Sequence, residues 1–280
     1  MYRDRAAGWQ HAKLSGHSNE ALVKKLLDTD ERYGREFMER LGLYGETIAS
    51  TSIGGLHETN VSSVLGRTTK SKTDLKIQCV SGREIRISVK KSMGGQVYLI
   101  KAESFMEVFE TQFEKRIPCD VKRAIKLFWA AADDALPIIR EHGDTIYSKA
   151  YNLQVRHKSL NADTLRRYDE ALYGALLGWF ADNIYEITKL CFSMGAACDE
   201  GEWSDYVWYI NLLGECNIDE IFCIEDICEA AERVAYEQIY YGSSNGGTTI
   251  QLPFGFVQWH QSSLQFHHSY DKVSGLVRGM

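Results

Sequence analysis

Two stretches in the N-terminal third of the chain alternate between apolar and polar residues. The alternation runs through residues 74–80 and again through residues 85–90, which is typical of strands with one buried face. The polar stretch 81–84 between them contains a glycine and predicts a turn, so the two strands are expected to form a hairpin. The polar residues of one strand face are Asp74, Lys76 and Gln78, and those of the other are Arg86, Ser88 and Lys90.

The rest of the chain changes period several times. Apolar residues at helical spacing predict a first helix over roughly residues 19–27, capped by Ser18 or Asn19, so that Glu20 lies in its first turn. The Ser-, Thr- and Gly-rich residues 48–67 predict loops or short edge strands. A strand is predicted over Gln96–Ile100, and strand-like residues return at 248–273. Helices are predicted between these two strand regions, over 104–115, 120–142, 162–194 and 218–241.

These elements predict an α/β chain of the α+β type, with a mixed central β-sheet, flanking helices and a large helical part. We divide the chain into residues 1–116, which contain the hairpin, a helical region 117–242 and a C-terminal strand segment 243–280. The three parts are expected to form one compact unit. The aromatic residues of the helical part are interpreted as core, not as a cofactor pocket: Phe128, Trp129, Trp179, Phe180, Trp203, Trp208 and Tyr209.

Composition excludes several classes of protein. With 44% hydrophobic residues, 25% charged residues and 3 prolines in 280, the chain is neither disordered nor collagenous, and no apolar run approaches the roughly 20 residues that span a bilayer. The N-terminus lacks the pattern of a signal peptide, which predicts a soluble, cytoplasmic protein without a membrane partner. The 7 cysteines form no CxxC pair and are expected to be reduced core thiols; a zinc site built from the last five with a histidine is the alternative.

Charge is distributed unevenly along the sequence. Residues 1–101 contain 17 Lys and Arg against 11 Asp and Glu, whereas residues 102–280 contain 15 against 27. A basic N-terminal part is typical of a phosphate-binding face, although proteins that bind no nucleic acid show similar asymmetry.

The hairpin carries the residues with the clearest chemistry. Hydrolysis of a phosphodiester requires a carboxylate to hold a divalent metal and a group that orients the attacking water. Asp74 begins one strand, and after thirteen intervening residues Ser88-Val89-Lys90 ends the other. The alternative interpretation of this string is a solvated surface hairpin, in which Lys76 and Arg86 are solvated or face phosphates.

The stretch from Lys72-Thr73-Asp74 to Ser88-Val89-Lys90-Lys91-Ser92 resembles the active-site region of type II restriction endonucleases of the PD-(D/E)xK nuclease superfamily, in the MspI-like branch. Two further segments are similar to that branch and occur in the same order: 14–20 (LSGHSNE) resembles its N-terminal helix, and 254–266 resembles its C-terminal strand segment. The helical middle of the chain has no counterpart.

The resemblance implies a PD-(D/E)xK core and a role for each matching residue. Asp74 would bind Mg²⁺, with Mn²⁺ as a substitute, the backbone carbonyl of Val89 would add an oxygen, and Lys90 would activate the water. Ser88 stands where the family has an acidic or amide residue, which puts metal affinity in doubt. Glu20 resembles the helix carboxylate that reaches this site; its alternative role is a glutamate favoured by the macrodipole at a helix start. Gln96 is a weaker alternative partner.

The C-terminal segment is expected to contact DNA. Its glutamine and histidine side chains match donor and acceptor patterns of the major groove, and the adjacent histidines are alternatively a metal pair. The candidates are Gln251, Gln258, His260, Gln261, Gln265, His267 and His268. Candidate phosphate contacts are Arg67, Lys70, Lys72 and Lys91, with solvated surface charge as the alternative for each.

Three functions follow from these observations. The first is Mg²⁺-dependent, site-specific cleavage of double-stranded DNA by a monomer, a homodimer or one subunit of an unlike pair. The second is a weak or inactive DNA-binding subunit of a heterodimeric or nicking enzyme, suggested by Ser88. The third is a helical scaffold that binds no nucleic acid. For the first, the resemblance also implies a companion DNA methyltransferase in a restriction–modification system.

Overall fold

The computed structural model describes residues 5–54, 60–214 and 218–279, with side chains from residue 16 onward. The helices are α1 (Arg5–Thr29), α2 (Glu31–Arg40), α3 (Ala102–Phe113), α4 (Cys119–Phe128), α5 (Ala135–His142), α6 (Lys149–His157), α7 (Ala162–Tyr168), α8 (Glu170–Asp182), α9 (Ile184–Lys189), α10 (Ile224–Arg233), α11 (Ala235–Gln238) and α12 (Tyr270–Arg278). The strands are β1 (Ile48–Ile53), β2 (Asn60–Ser62), β3 (Thr68–Lys70), β4 (Leu75–Cys79), β5 (Glu84–Lys90), β6 (Gly94–Lys101), β7 (Tyr206–Ile210), β8 (Asp219–Cys223), β9 (Tyr240–Tyr241), β10 (Thr249–Leu252), β11 (Gly255–His260) and β12 (Ser263–Ser269).

The chain divides into two compact units. Unit 1 consists of Met1–Met93 and Phe192–Glu225, and unit 2 consists of Gly94–Cys191 and Asp226–Met280. These limits differ from the sequence-based division at 116/117 and 242/243, which stays a prediction. The α+β class is confirmed, because each unit combines a β-sheet with helices.

Unit 1 is built on a mixed five-stranded sheet in the order β1-β4-β5-β7-β8. β5 and β7 pair in parallel, and the other neighbours pair antiparallel. Apolar residues of α1, α2 and the central strands form one buried cluster, in which the Phe37 ring lies 4.5 Å from the Trp208 ring. The predicted hairpin is confirmed as β4 and β5, and the described residues 48–54 and 60–70 contain the short strands β1 to β3, with β1 at the sheet edge.

Unit 2 contains an antiparallel five-stranded sheet in the order β6-β12-β11-β10-β9. The predicted strand Gln96–Ile100 is confirmed as the centre of β6, and the C-terminal segment supplies β10, β11 and β12. Aromatic packing joins the sheet to the helices, with Phe105 lying 5.8 Å from Phe266 and 6.1 Å from Trp179 between ring centroids. The aromatic residues named from sequence are buried, apart from the half-buried Trp203.

Several predicted helices are wrong in extent. The helix predicted over 120–142 is two helices, α4 and α5, because Ala130 adopts a left-handed φ of 59° between them. The stretch 162–194 breaks at Asp169, which caps α8 by accepting hydrogen bonds from the amides of Ala171 and Leu172. The stretch 218–241 begins as strand β8, and residues 270–278 form α12, not a strand.

Three elements were missed. β7 reads Tyr-Val-Trp-Tyr-Ile and is buried along nearly its whole length, so it lacks the alternation that marks a half-buried strand. α2 and α6 were not predicted either. No helix in the described part of the chain is long and apolar enough to cross a membrane.

Cysteine usage is consistent with free thiols. Cys79, Cys191 and Cys228 are buried, Cys223 is half-buried, and Cys119 and Cys198 are exposed. The core interpretation therefore fits three of these six, whereas Cys216 lies outside the described residues. Within the described ranges, no three His, Cys, Asp or Glu side chains converge as a metal cage, which leaves the zinc alternative without support there.

Candidate active site

The register of the hairpin brings Asp74 and Ser88 together. Leu75 pairs with Ile87, so Asp74, one residue before β4, lies across from Ser88. The amide of Asp74 donates to the carbonyl of Ile87 at 2.9 Å and holds this end of the hairpin closed. Lys90 follows Ser88 by two positions on β5 and so shares its face of the strand.

Gly54 supports the backbone at Asp74 from the neighbouring edge. Its amide donates to the carbonyl of Asp74 at 3.0 Å. A Cβ at position 54 would lie 2.2 Å from the carbonyl oxygen of Thr73, so any larger residue would displace the segment that carries Asp74. Sequence reasoning missed this glycine, which follows directly after an edge strand.

The side chains of Asp74, Ser88 and Lys90 form a continuous chain of polar contacts. The Lys90 ammonium donates to Ser88 Oγ at 2.6 Å, and Ser88 Oγ donates to Asp74 Oδ2 at 3.1 Å. The Val89 amide also donates to Asp74 Oδ2 at 2.8 Å, and Lys90 Nζ lies 3.8 Å from the same oxygen. The contacts that Ser88, Val89 and Lys90 make with Asp74 all use Oδ2, which leaves the second carboxylate oxygen for a ligand as far as the described residues show.

Burial separates this cluster from an ordinary surface hairpin. Ser88 is 2% exposed, and the side chains of Asp74 and Lys90 are about one-fifth exposed, at 21% and 20%. Electrostatic interactions are stronger at such partly desolvated positions than at the surface. The polar face of the hairpin is therefore not simply solvated.

Glu20 reaches the same cluster from helix α1. The pKa of Glu20 is raised from 4.5 to about 7, chiefly by burial and then by the nearby charge of Asp74, while the Lys90 ammonium acts in the opposite direction. Its Oε2 atom is fully buried and has no hydrogen-bond partner among the described residues. Glu20 is thus electrostatically part of the Asp74–Lys90 site.

The predicted position of Glu20 at a helix start is wrong. Helix α1 begins at Arg5, so Glu20 lies about four turns inside it, beyond the reach of the N-terminal macrodipole. The predicted caps Ser18 and Asn19 are likewise inside the helix. Of the resembling segment 14–20, the side chains of Leu14 and Ser15 lie outside the described residues.

Asn19 has a different role from capping. Its side chain is fully buried, donates to the carbonyl of Ile210 at 2.9 Å and accepts from the amide of Leu212 at 2.8 Å. These two bonds fix α1 to the end of β7, the parallel neighbour of β5. Asn19 therefore sets the position of the helix segment that carries Glu20.

The oxygen atoms at this site suit a hard divalent cation. Carboxylates and backbone carbonyls are the ligands that Mg²⁺ prefers, and Mg²⁺ keeps several waters instead of an all-protein cage. Asp74 and Glu20 supply carboxylates, and the Val89 carbonyl receives a long contact of 3.5 Å from Lys90 Nζ. The unpartnered buried Oε2 of Glu20 is the observation that most directly favours a bound cation.

Two basic residues of unit 1 form ion pairs that the sequence did not predict. Lys76 pairs with Glu202 at 3.0 Å, and Arg86 makes a two-pronged contact with Asp205. They are therefore neither solvated nor directed at phosphates. Arg67 and Lys70 are exposed, and Lys72 and Lys91 are half-buried.

The charge asymmetry of the sequence is not a property of the folded units. The acidic segment Phe192–Glu225 joins the basic N-terminal part in unit 1, which as a result has 16 Lys and Arg against 19 Asp and Glu. Unit 2 has the same counts. Each unit thus has a formal net charge of −3, and overall charge does not favour a phosphate-binding face in either.

Unit 2 arranges the predicted glutamines on one face of its sheet. Gln258 donates to Gln265 at 2.9 Å and contacts the His267 ring nitrogen at 3.3 Å, and Gln265 donates to Gln96 at 2.8 Å. We call Gln96, Gln258, Gln265 and His267 the glutamine face. Half-buried Gln251 is also on this side of the sheet, by strand alternation.

The other predicted recognition residues differ in setting. His260 is exposed at the end of β11, and Gln261 lies in the β11–β12 turn with a φ of 50°. His268 is 4% exposed on the opposite side of the sheet from His267, so it is wrong as a recognition residue. Strand alternation also rules out the adjacent histidines as a metal pair.

Comparison with known proteins gives a similarity in structure alone. No family model matches the chain, and no curated protein sequence matches it. Among solved structures, the chain is similar to the restriction endonuclease MspI in complex with its cognate DNA, with a TM-score of 0.42 and 12% sequence identity. The similarity covers 89% of this chain and 83% of that chain.

Proposed function

We propose that this chain is a Mg²⁺-dependent endonuclease that cleaves double-stranded DNA at a short specific site, as type II restriction endonucleases do. The observation that carries this proposal is the contact chain from Lys90 through Ser88 to Asp74, with the buried carboxylate of Glu20 beside it. An ammonium next to two carboxylates, partly removed from water, is an arrangement suited to hydrolysis of a phosphodiester.

Asp74, Glu20 and the Val89 carbonyl would hold the metal, with Mn²⁺ as a substitute for Mg²⁺. When bound, the metal supplies positive charge that stabilises the developing charge on the scissile phosphate. Without it, two carboxylates share a poorly solvated space, and the raised pKa of Glu20 reflects that cost. A bound cation would therefore offset the repulsion between the two carboxylates of this site.

Lys90 is the residue that positions the attacking water. Its ammonium is held by Ser88 Oγ at 2.6 Å, which leaves other N–H groups to donate to a water or a phosphate oxygen. Ser88 in turn is held by Asp74, so the hydroxyl fixes the distance between the ammonium and the metal-binding carboxylate. In this proposal the serine is a bridging residue, and the carboxylate usually found at its position is replaced by Glu20 from α1.

Sequence recognition is assigned to the glutamine face with Gln251, His260 and Gln261. Glutamine side chains pair with adenine edges in the major groove, and an exposed sheet offers them as an array. Lys70, Lys72 and Lys91 are proposed as phosphate contacts in unit 1. Action as a homodimer or with a second subunit, and a companion methyltransferase, belong to the same proposal.

The second candidate is a DNA-binding subunit with weak or no cleavage. Ser88 at the acidic position favours it, since a neutral hydroxyl is a poor ligand for Mg²⁺. Incubation of the chain with plasmid and long linear DNA, in Mg²⁺ and in EDTA, separates the two. Discrete Mg²⁺-dependent fragments support the endonuclease, nicked circles point to a single-strand cutter, and intact DNA with retained binding supports the inactive subunit.

A further inference from the structure

His17 Nδ1 and Glu20 Oε2 form a pair of buried ligand atoms, of which the proposed Mg²⁺ site uses only the glutamate oxygen. His17 Nδ1 and Glu20 Oε2 lie 3.7 Å apart on helix α1, at the spacing i and i+3 that places two side chains on one face. Both atoms are fully buried, and within the described part of the chain neither has a hydrogen-bond partner. Two unsatisfied polar atoms side by side are costly, so a shared partner is expected between them.

The separation of the two atoms suits one bound cation. At metal–ligand bond lengths of about 2.1 Å, two ligand atoms in tetrahedral or octahedral arrangement lie roughly 3 to 3.5 Å apart. A small rotation of either side chain closes the difference from 3.7 Å. A direct hydrogen bond between His17 Nδ1 and Glu20 Oε2 would require a comparable side-chain rotation. It would leave the electrostatic interaction between Glu20 and Asp74 unchanged.

We propose that His17 and Glu20 bind a divalent transition-metal ion, with imidazole nitrogen and carboxylate oxygen as ligands and water completing the shell. Imidazole suits ions such as Co²⁺, Ni²⁺ and Zn²⁺, whereas Mg²⁺ prefers oxygen ligands throughout. His17 therefore determines which metals the site accepts. The inference touches the proposed function only in sharing Glu20, and it concerns a property that exists without DNA.

Co²⁺ binding to the full chain tests this assignment in the absence of DNA. Calorimetric titration gives the affinity, and visible absorption of Co²⁺ reports a change in its ligands. We expect His17→Ala to weaken Co²⁺ binding by about 10- to 100-fold and to alter its visible spectrum, with Mg²⁺ binding changed less than about twofold. Glu20→Gln should weaken binding of both metals.

His142→Ala is the matched control. His142 Nε2 also lies 3.7 Å from a carboxylate oxygen of Glu141. The Glu141 side chain is 77% exposed, so this pair does not form a buried site. Its removal should leave Co²⁺ binding unchanged. Because His17 lies inside a helix, alanine is expected to preserve the fold; His17→Gln provides a second variant if the circular dichroism of the first departs from that of the parent.

Equal Co²⁺ affinity in the parent and in a folded His17 variant would overturn the inference. Parallel loss of Co²⁺ and Mg²⁺ would overturn it as well, since His17 would then act only by positioning Glu20. Neither result bears on whether the parent cleaves DNA in Mg²⁺, so failure of this inference and failure of the endonuclease proposal remain distinguishable.

Discussion

The polar side chains on the sheets of the two units differ in charge and in hydrogen bonding. In unit 1, Asp74, Ser88 and Lys90 combine charged groups with partial burial, and Glu20 adds an oxygen that no described residue hydrogen-bonds. In unit 2, the side chains of Gln96, Gln258 and Gln265 are neutral and hydrogen-bond one another. The first arrangement is electrostatically incomplete, whereas the second is mutually satisfied.

This difference indicates different tasks. In the proposed function, the unit 1 site binds a cation, which would supply positive charge to the phosphate, and a water, which would be the nucleophile. A neutral array at a sheet surface loses little by exchanging its internal hydrogen bonds for those of a base edge, which suits recognition. Changes in unit 1 are therefore expected to alter rate and metal dependence, and changes in unit 2 to alter site preference.

The largest effect is expected for Lys90→Ala. Removal of the group proposed to position the water should lower the cleavage rate by about 10²- to 10⁴-fold. DNA affinity should be retained, because Lys90 is one charge among several. Single-turnover cleavage and gel-shift binding measure the two quantities separately.

Lys91→Ala is the control for Lys90→Ala. It removes the adjacent positive charge while leaving the contact chain of Ser88 and Asp74 in place. We expect weaker DNA binding but an unchanged rate at saturating protein. A Lys90→Ala protein that cuts DNA as fast as the parent would contradict the assignment of the catalytic site to unit 1.

Glu20→Gln is expected to change the pH dependence of stability. The pKa of Glu20 is about 7 in the folded chain against an ordinary value of 4.5, so the folded chain retains a proton that the unfolded chain loses between these values. Stability should thus fall as pH rises from about 4.5 to 7 and level off above, by about 3 kcal/mol in total. Glutamine lacks this titration and should remove that fall.

Urea unfolding in EDTA at pH 5 and pH 8 measures this difference. Glu36→Gln is the control, since Glu36 is exposed in α2 and pairs with Arg32 on the surface. Mg²⁺ should restore stability to the parent at pH 8 and do so less for Glu20→Gln. Identical pH profiles for the parent and Glu20→Gln would mean that Glu20 is not desolvated beside Asp74.

Local patterns were sufficient to predict the hairpin and the proximity of its polar side chains. The alternation at β4 and β5 fixes which side chains share a face, and a period of two residues makes that assignment robust. Asp74, Ser88 and Lys90 were therefore predicted together from sequence and are found together. Their catalytic and metal-binding roles stay predictions.

Contributions from distant parts of the chain were not predictable in this way. Asn19 forms hydrogen bonds with Ile210 and Leu212, roughly 190 residues away. The sequence does not show these partners, so the polar residues 18–20 were interpreted as a helix cap. The pairing of Lys76 and Arg86 with acids beyond residue 200 likewise depends on which segments fold together. Charge summed along the sequence therefore misrepresented the charge of each unit.

Ser88→Ala tests whether the hydroxyl is a bridge within unit 1. The change removes an acceptor for Lys90 and a donor to Asp74, both charged groups, each of which is worth about 1.5 to 3 kcal/mol when buried. Because Lys90 keeps its contact near Asp74 Oδ2, we expect the cleavage rate to fall by only about tenfold. Ser92→Ala, an exposed position just after β5, should have no such effect. A rate equal to that of the parent would show Ser88 to be a spacer.

The smallest effect is expected in unit 2, for Gln258→Ala. Gln258 is at the centre of the glutamine face, with Gln265 and His267 as partners, and those partners keep their own polar groups after its removal. Discrimination between the preferred DNA site and its single-base variants should fall by on the order of 1 kcal/mol, with the cleavage rate at saturation unchanged. Gln238→Ala, exposed on α11, is the matched control and should leave discrimination intact. If Gln258→Ala instead slowed cleavage equally on every sequence, the glutamine face would be contributing to the chemical step. The assignment of catalysis to unit 1 and of recognition to unit 2 would then be wrong.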